Sequence, residues 1–469
     1  MTVSSAVRIV ILGAVAFAAW PTEVQASAFV VDARTEAQAY QIRAYRDSDP
    51  DHPTLLPRRR IVQYLGVAGF ELITGEDLGF ETSMRLYADF GLPSGEAAKI
   101  DGVGSQWADL MYAFAKFRTG PVELQLGRQT YVDIMDYMAF DGLKVRYLSS
   151  LGIGAEAYGG LWVKGGMPLG SSVYQPDGTR ESDQRRIAMG APSANPALDD
   201  VEPVFGAKLL AENIKGFSGS LGYRKAILGG KTDLERAALE LRYGRGRGLN
   251  VTTGADYDLM MSRVAQVRAL VRYDHPKFAV SAEALRTSPV LSAESIWYYF
   301  ATAPRDELRL RGDYTPVGPL RYYLEGVLSQ YHENINHTLE LALALRDPAL
   351  PSSINAGGSA GAAYRDGSFH SALDVSYRNG YGGRQLWVDL TAGYSPEEKR
   401  YTIDGRLSIA NVADSFNPLL RGTFYGAQVW VSYLFARNAR GSVALEENIN
   451  DFTRSDFKIF FLFDLRAIF

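Results

Sequence analysis

The chain has 469 residues, with 46 glycines, 27 tyrosines, 22 phenylalanines and no cysteine, and its 49 basic against 53 acidic residues leave a formal charge of −4. That balance excludes a bulk electrostatic nucleic-acid binder, and the absence of cysteine excludes disulfide scaffolds and thiolate metal sites. A mean hydropathy of −0.12, without repeated apolar runs of roughly 18 or more residues, excludes a polytopic helical membrane protein.

The first 28 residues read as an address. Arg8 precedes the apolar run Ile9 to Trp20, followed by Pro21 and the small-residue site Ala26-Ser27-Ala28. A basic start, a short apolar run and an A-x-A site make a secretory signal peptide. The run is too short to cross a bilayer. Residues 29–469 are then the mature unit.

From Leu78 to Phe90 the pattern has period two. Leu78, Phe80, Thr82, Met84, Leu86, Ala88 and Phe90 fall on one face, and Glu81, Ser83, Arg85, Tyr87 and Asp89 on the other. Strict alternation of this kind is a β-strand with one apolar face. It recurs over 237–243, 249–257, 265–273, 308–314, 401–409 and 423–435, and no comparably long segment has a clear helical period. These stretches exceed the roughly 5–6 residues of a typical soluble strand. They suit the roughly 9–11 residues with which a strand crosses a bilayer. At the end of the chain Phe457, Ile459, Phe461, Phe463, Leu465, Ala467 and Phe469 share one face, while Lys458, Asp464 and Arg466 share the other. In water that strand is an aggregation hazard; in lipid it closes a barrel. A final amphipathic strand ending in Phe resembles the C-terminal signature of bacterial outer-membrane barrels.

Tight connections beside an aromatic occur at Phe117-RTGP, Tyr147-LSS, Tyr243-GRGRG, Tyr273-DHP, Tyr314-TPVGP, Tyr364-RDG, Tyr394-SPEE and Phe435-ARNARG. Thr74-GED and Glu212-NIKG add two more. Aromatics beside short turns are the girdle of the periplasmic rim. Ten such turns imply 22 strands, within a range of 18 to 24 that allows for false turns and for the ambiguous segment 337–346. The expectation is an all-β, antiparallel transmembrane barrel. Its extracellular loops fall at 47–57, 91–106, 130–138, 164–202, 288–303 and 411–420. The 39-residue loop from Lys164 to Glu202, the longest, is read as plug, lid or free loop.

Four strings look catalytic and fail on spacing or context. In His332-ENIN-His337 the histidines are five apart, not the four a zincin helix needs. Gly230-Lys231-Thr232 lacks the first glycine of a phosphate loop, because position 225 is Lys. Gly357-Gly358-Ser359-Ala360-Gly361 matches G-x-S-x-G, but it lies among small residues entering a strand rather than on a strand-to-helix elbow. Gly244-RGRG is a tight turn. No catalytic residue, metal site or cofactor is expected, and an outer-membrane enzyme or secretion scaffold is an outside alternative.

The informative polar residues face the lumen. Thirty-eight of the 49 basic residues are Arg, and Arg85, Arg242, Arg268, Arg272, Arg309, Arg311 and Arg406 sit on polar strand faces among carboxylates such as Asp109. Arg holds planar anions bidentately and stays charged. Such a wall would guide carboxylate or phosphate groups, or it would simply brace the barrel through Arg–carboxylate ladders.

The stretch Trp107-ADLMYAFAKFRTGPVELQLGRQ, a loop, and Phe140-DGLKVRY resembles the alginate-export type of outer-membrane barrel and its porin-like relatives over about residues 31–163. Gly127-Arg128-Gln129 fills the family's G-R-Q element. The resemblance implies an 18-stranded barrel passing an anionic exopolysaccharide through an Arg-lined, loop-gated pore. In that picture Arg128 lines the constriction, with Arg85 and Asp109 on neighbouring strands. The alternative is a general or solute-selective diffusion porin. The partners expected are outer-membrane lipid, a polysaccharide or small solute and, for export, a periplasmic protein, but no nucleic acid.

Overall fold

The computed structural model describes residues 28–468 other than 47–48, 74, 93–105, 164–201, 229, 245, 289–303, 317, 333–352, 397–399, 415–420 and 451–454. All but the last residue of the expected signal peptide, the body of the 164–202 loop and the segment 337–346 therefore lie outside the described residues. Twenty-two strands follow in order: β1 (Ala28–Arg46), β2 (Asp49–Phe70), β3 (Asp77–Asp89), β4 (Gln106–Thr119), β5 (Val122–Val132), β6 (Tyr137–Leu148), β7 (Ile153–Trp162) and β8 (Pro203–Ile214). Next come β9 (Phe217–Leu228), β10 (Lys231–Tyr243), β11 (Gly248–Asp258), β12 (Arg263–Asp274), β13 (Phe278–Thr287), β14 (Arg305–Tyr314) and β15 (Leu320–Tyr331). The last are β16 (Ile354–Asp366), β17 (Phe369–Gly380), β18 (Gly383–Tyr394), β19 (Tyr401–Asp414), β20 (Arg421–Ala436), β21 (Ala439–Ile449) and β22 (Asp456–Ile468).

Each strand pairs antiparallel with its chain neighbours, and β22 closes on β1 from Val30 opposite Ile468 to Ala39 opposite Ile459. Closure leaves no strand edge, the condition for sheet to sit in hydrocarbon. All ten expected short turns fall at one end, together with both ends of the sheet, and the strand number is 22 rather than the 18 implied by the alginate-export resemblance. One of the four two-residue turns joins β8 to β9 through Lys215 (φ 53°) and Gly216 (φ 87°). Positive φ at both central residues is the type I′ geometry that matches strand twist.

At the other end two expected loops are shorter than the sequence suggested. Residues 49–57 belong to β2, whose ladder with β1 runs on to Arg46 opposite Asp49. Paired strands satisfy their backbone there although Asp and Pro read locally as turn formers. The 130–138 loop shrinks to residues 133–136 between β5 and β6.

The two faces of the wall differ as period two demands. On β14, Leu308 and Leu310 point outward and are exposed, while Glu307, Arg309, Arg311 and Asp313 point inward. The outer face carries Tyr243, Tyr273, Tyr314, Tyr394, Phe217 and Phe278 at the turn end. At the loop end it carries polar clusters: Tyr223 with Lys225 and Glu235, and Arg286 with Asp306 and His332. Along β14 the apolar belt runs from Tyr314 to Asp306, about 20 Å for a tilted strand, against the roughly 25 Å of an outer-membrane belt. With strands about 4.8 Å apart and tilted about 40°, 22 strands make a cylinder about 40 Å across.

Leu310 lies midway in that belt. Leu310→Arg should lower unfolding stability in lipid by about 2–4 kcal/mol, whereas a charge at inward-facing Ser281 should cost far less. Reversible denaturant unfolding in liposomes measures both, and equal losses would contradict the assignment of faces.

Candidate functional site

The most built part of the interior is the tip of the β5–β6 hairpin, which folds into the lumen. Its root packs Tyr131, Met138 and Phe140 on Tyr158 of β7, Val204 of β8 and Ala226 of β9, with Trp162 and Leu234 alongside. The tip, residues 133–136, lies farther along the inner wall. Met135 Cε stands 3.3 Å from where a Cβ would be on Gly222 of β9, and the Ile134 side chain occupies the space of a Cβ on Gly254 of β11. Glycine at these two inward positions is what lets the tip approach the wall.

Ion pairs fix the tip. Asp133 takes Arg224 Nη2 at 3.1 Å and Lys208 Nζ at 3.6 Å. Asp136 pairs with Arg224, and with Arg236 Nη1 at 2.7 Å. Arg236 also pairs with Asp256 and donates to the Met135 carbonyl. Asp133 Oδ1 accepts the Met135 backbone N–H at 2.9 Å, so one carboxylate both shapes the turn and anchors it. Arg224 is fully buried, and Arg236 and Asp256 nearly so. Three cations from β8, β9 and β10 thus meet three carboxylates, two of them on the tip. Buried groups of this kind hold a unique arrangement and are costly to break singly.

The wall from β12 to β15, beyond the clamped tip, carries an alternating ladder. Arg268 pairs with Glu283 at 2.5 Å and Arg272 with Asp274 at 2.7 Å. Arg309 pairs with Glu307 at 2.8 Å and lies 3.7 Å from both Glu283 and Glu325. Arg311 pairs with Asp313 at 2.9 Å, with Glu325 3.6 Å away, and its guanidinium stands 4.3 Å over the Tyr323 ring. On other strands Arg85 meets Asp109 at 3.2 Å, Arg242 meets Glu240 at 2.6 Å and Arg406 meets Asp389 at 2.8 Å. All these side chains face inward, and each of these arginines stands beside a carboxylate.

Arg128 is the correction. It shares parity with Leu124 and Leu126 on β5, and its partner Asp141 shares parity with Leu143 on β6. The two form a bidentate pair at 2.8 Å and 2.8 Å on the outer face, and Arg128 also donates to the Leu110 carbonyl. Arg128 therefore does not line a constriction. Neighbouring Gln129 faces inward and is buried. The clamp residues Asp133, Asp136, Lys208, Arg224 and Asp256 were not singled out from the sequence. Asp133-Ile-Met-Asp136 is a local signal of a capped turn, but nothing local marks its partners some 75 to 120 residues away.

No family model matches the chain, and no curated protein does. Solved structures that align over nearly its whole length include Pseudomonas aeruginosa OccK3 (OpdO), with 11% identity, 95% of this chain and 96% of that one, and a TM-score of 0.41. Acinetobacter baumannii OccAB1 aligns with 10% identity over 95% and 97% at a TM-score of 0.44. Pseudomonas aeruginosa OccK8 (OprE) does so with 9% identity over 95% and 99% at 0.43. None of the comparisons supports the alginate-export-type resemblance.

Arg236→Ala leaves Asp136 and Asp256 without their shared cation and should cost about 3–5 kcal/mol of stability. It should also raise mean single-channel conductance and open-channel noise as the tip lifts from the wall. Unchanged current traces would show that the tip does not bound the conducting path.

Proposed function

We propose that the chain is an outer-membrane pore through which small hydrophilic solutes diffuse selectively, rather than an exporter of an anionic exopolysaccharide. The observation that carries this reading is the clamped tip. A cylinder about 40 Å across holds inside it an element fixed by buried ion pairs, which narrows the lumen permanently instead of leaving it wide for a polymer. The charge pattern supports the same reading. A uniformly acidic chain would favour uncompensated cations along its path, whereas Arg268, Arg272, Arg309 and Arg311 are each set against carboxylates. Alternating sign suits small polar solutes that carry dipoles or single charges. In this reading residues 1–28 deliver the chain across the inner membrane, the short turns face the periplasm and the loops face outward. No periplasmic export partner is needed.

The purified barrel should conduct in planar bilayers with weak ion selectivity. In liposome swelling it should pass monosaccharide-sized solutes and exclude long uronic-acid polymers. Arg309→Ala with Arg311→Ala leaves Glu307, Glu325 and Asp313 in excess and should shift the reversal potential toward cation preference. Absence of any conductance would overturn the pore reading. Strong anion preference with passage of the polymer would restore the export reading.

A further inference from the structure

The G-x-S-x-G string that carries no catalytic chemistry has a place in the lumen. Period two puts Gly357, Ser359 and Gly361 on the inward face of β16, between inward residues of β15 and β17. One register row runs Glu325, Ser359, Ser376 and Trp387 across β15 to β18. Ser359 and Ser376 are its short central members, and Glu325 and Trp387 stand at either side. The two glycines let larger neighbours lie across β16. Arg378 Cγ comes within 2.7 Å of where a Gly357 Cβ would stand, and the Tyr323 ring covers Gly361 to donate to Asp374 at 2.6 Å. The result is a recess of about 340 Å³ lined by Glu325, Ser359, Ser376, Arg378, Trp387 and Asp389. That is near the lower bound of small-ligand sites, roughly 300 Å³.

Trp387 is the anomaly that gives the recess meaning. Its side chain faces inward, as Asp389 does, yet the residue is 43% exposed. Among the described residues the other exposed large apolar side chains within strands lie on the outer face, apart from Phe70 and Ile468 at strand ends. A large ring left half open to a polar lumen forfeits part of the burial that apolar side chains ordinarily gain. Inward Trp430 on β20, by contrast, donates its indole N–H to Ser432 at 2.8 Å. The Trp387 indole, Ser376, Arg378 and Gln385 have no side-chain partner among the described residues. An open aromatic face beside unpaired donors and acceptor carboxylates matches a ring with apolar C–H faces and a hydroxyl rim.

We propose that this recess is a binding subsite for a neutral pyranose sugar. The ring stacks on Trp387. Its hydroxyls take hydrogen bonds from Arg378, Gln385 and Ser376 and donate to Asp389 and Glu325. Glu325 and Asp389 are also held by Arg311 and Arg406, but within the lining two carboxylates stand against the one guanidinium of Arg378, which disfavours an acidic sugar there. The proposal rests on the reading of an open, solute-passing lumen and names the class of solute the wall holds.

The test uses the full folded chain in planar bilayers, with glucose and maltotriose as probes and glucuronate as the charged comparison. Heat-modifiable gel migration confirms that each variant is folded. Neutral sugars should reduce the current reversibly. Trp387→Ala should raise the half-blocking concentration about tenfold, Trp387→Phe should retain most of the block, and Ser376→Val should weaken it severalfold. A conducting channel that neutral sugars do not block, block unchanged in Trp387→Ala, or glucuronate blocking more tightly than glucose would each overturn the assignment. If the barrel does not conduct, the pore reading fails by itself. The recess is then read by tryptophan fluorescence in detergent: a glucose-dependent change lost in Trp387→Phe sustains it, and no change overturns it.

Discussion

Everything in this protein depends on the requirement that no backbone N–H or C=O be left unpaired in hydrocarbon. A sheet meets it only by closing, which the Val30 to Ala39 ladder with Ile459 to Ile468 does. Closure with a two-residue side-chain period then assigns every strand residue to lipid or to lumen. It also fixes the width through the strand number. Twenty-two strands enclose more space than their own inward side chains fill, so the sequence must furnish the interior separately. It does so with the β5–β6 tip and the apolar cluster at its root, which place Phe140 and Met138 out of contact with both lipid and water.

How much of this was readable in advance follows the range of the interaction. Turns are local: Tyr314-TPVGP or Lys215-Gly216 carry their own geometry, so ten turns and 22 strands could be counted from the sequence. Strand parity is also local, yet at Arg128 a family-like element outweighed it. The run Val122, Leu124, Leu126 already put Arg128 on the lipid face. The position is tolerable because Asp141 takes Nε and Nη2 of the guanidinium, the Leu110 carbonyl takes Nη1, and the site lies toward the loop end of the belt, level with Leu161. The clamp was not readable. Asp136 finds Arg224 and Arg236, 88 and 100 residues away, only after the strands from β6 to β10 have been laid side by side.

Arginine excess, taken alone, pointed to an anion-attracting wall. The register shows why it need not be one. Residues two apart on a strand share a face, so Glu307-Leu-Arg309-Leu-Arg311-Gly-Asp313 sets two cations between two anions, and on the flanking strands Glu325 faces both arginines and Glu283 faces Arg309. Arg is suited to this role because its planar fork can serve more than one carboxylate while staying charged. Each guanidinium in the ladder remains partly open to the lumen, so the wall keeps donors to spare but little net field.

The lumen therefore has two unlike sides. From β7 to β11 the wall is covered by the tip, its three cations are spent on three carboxylates, and little there is open to a solute. From β12 to β19 the wall is not covered by the tip and carries alternating charges at β12 to β15 and the Trp387 recess on β15 to β18. In the proposed pore a solute moving past the tip would be pressed toward the side where sign alternates over a few ångströms and where an indole face and donors without a partner among the described residues stand ready. Selectivity in such a pore comes from the match between a solute's pattern of dipoles and ring faces and that wall, with the buried clamp opposite keeping the two close enough to interact.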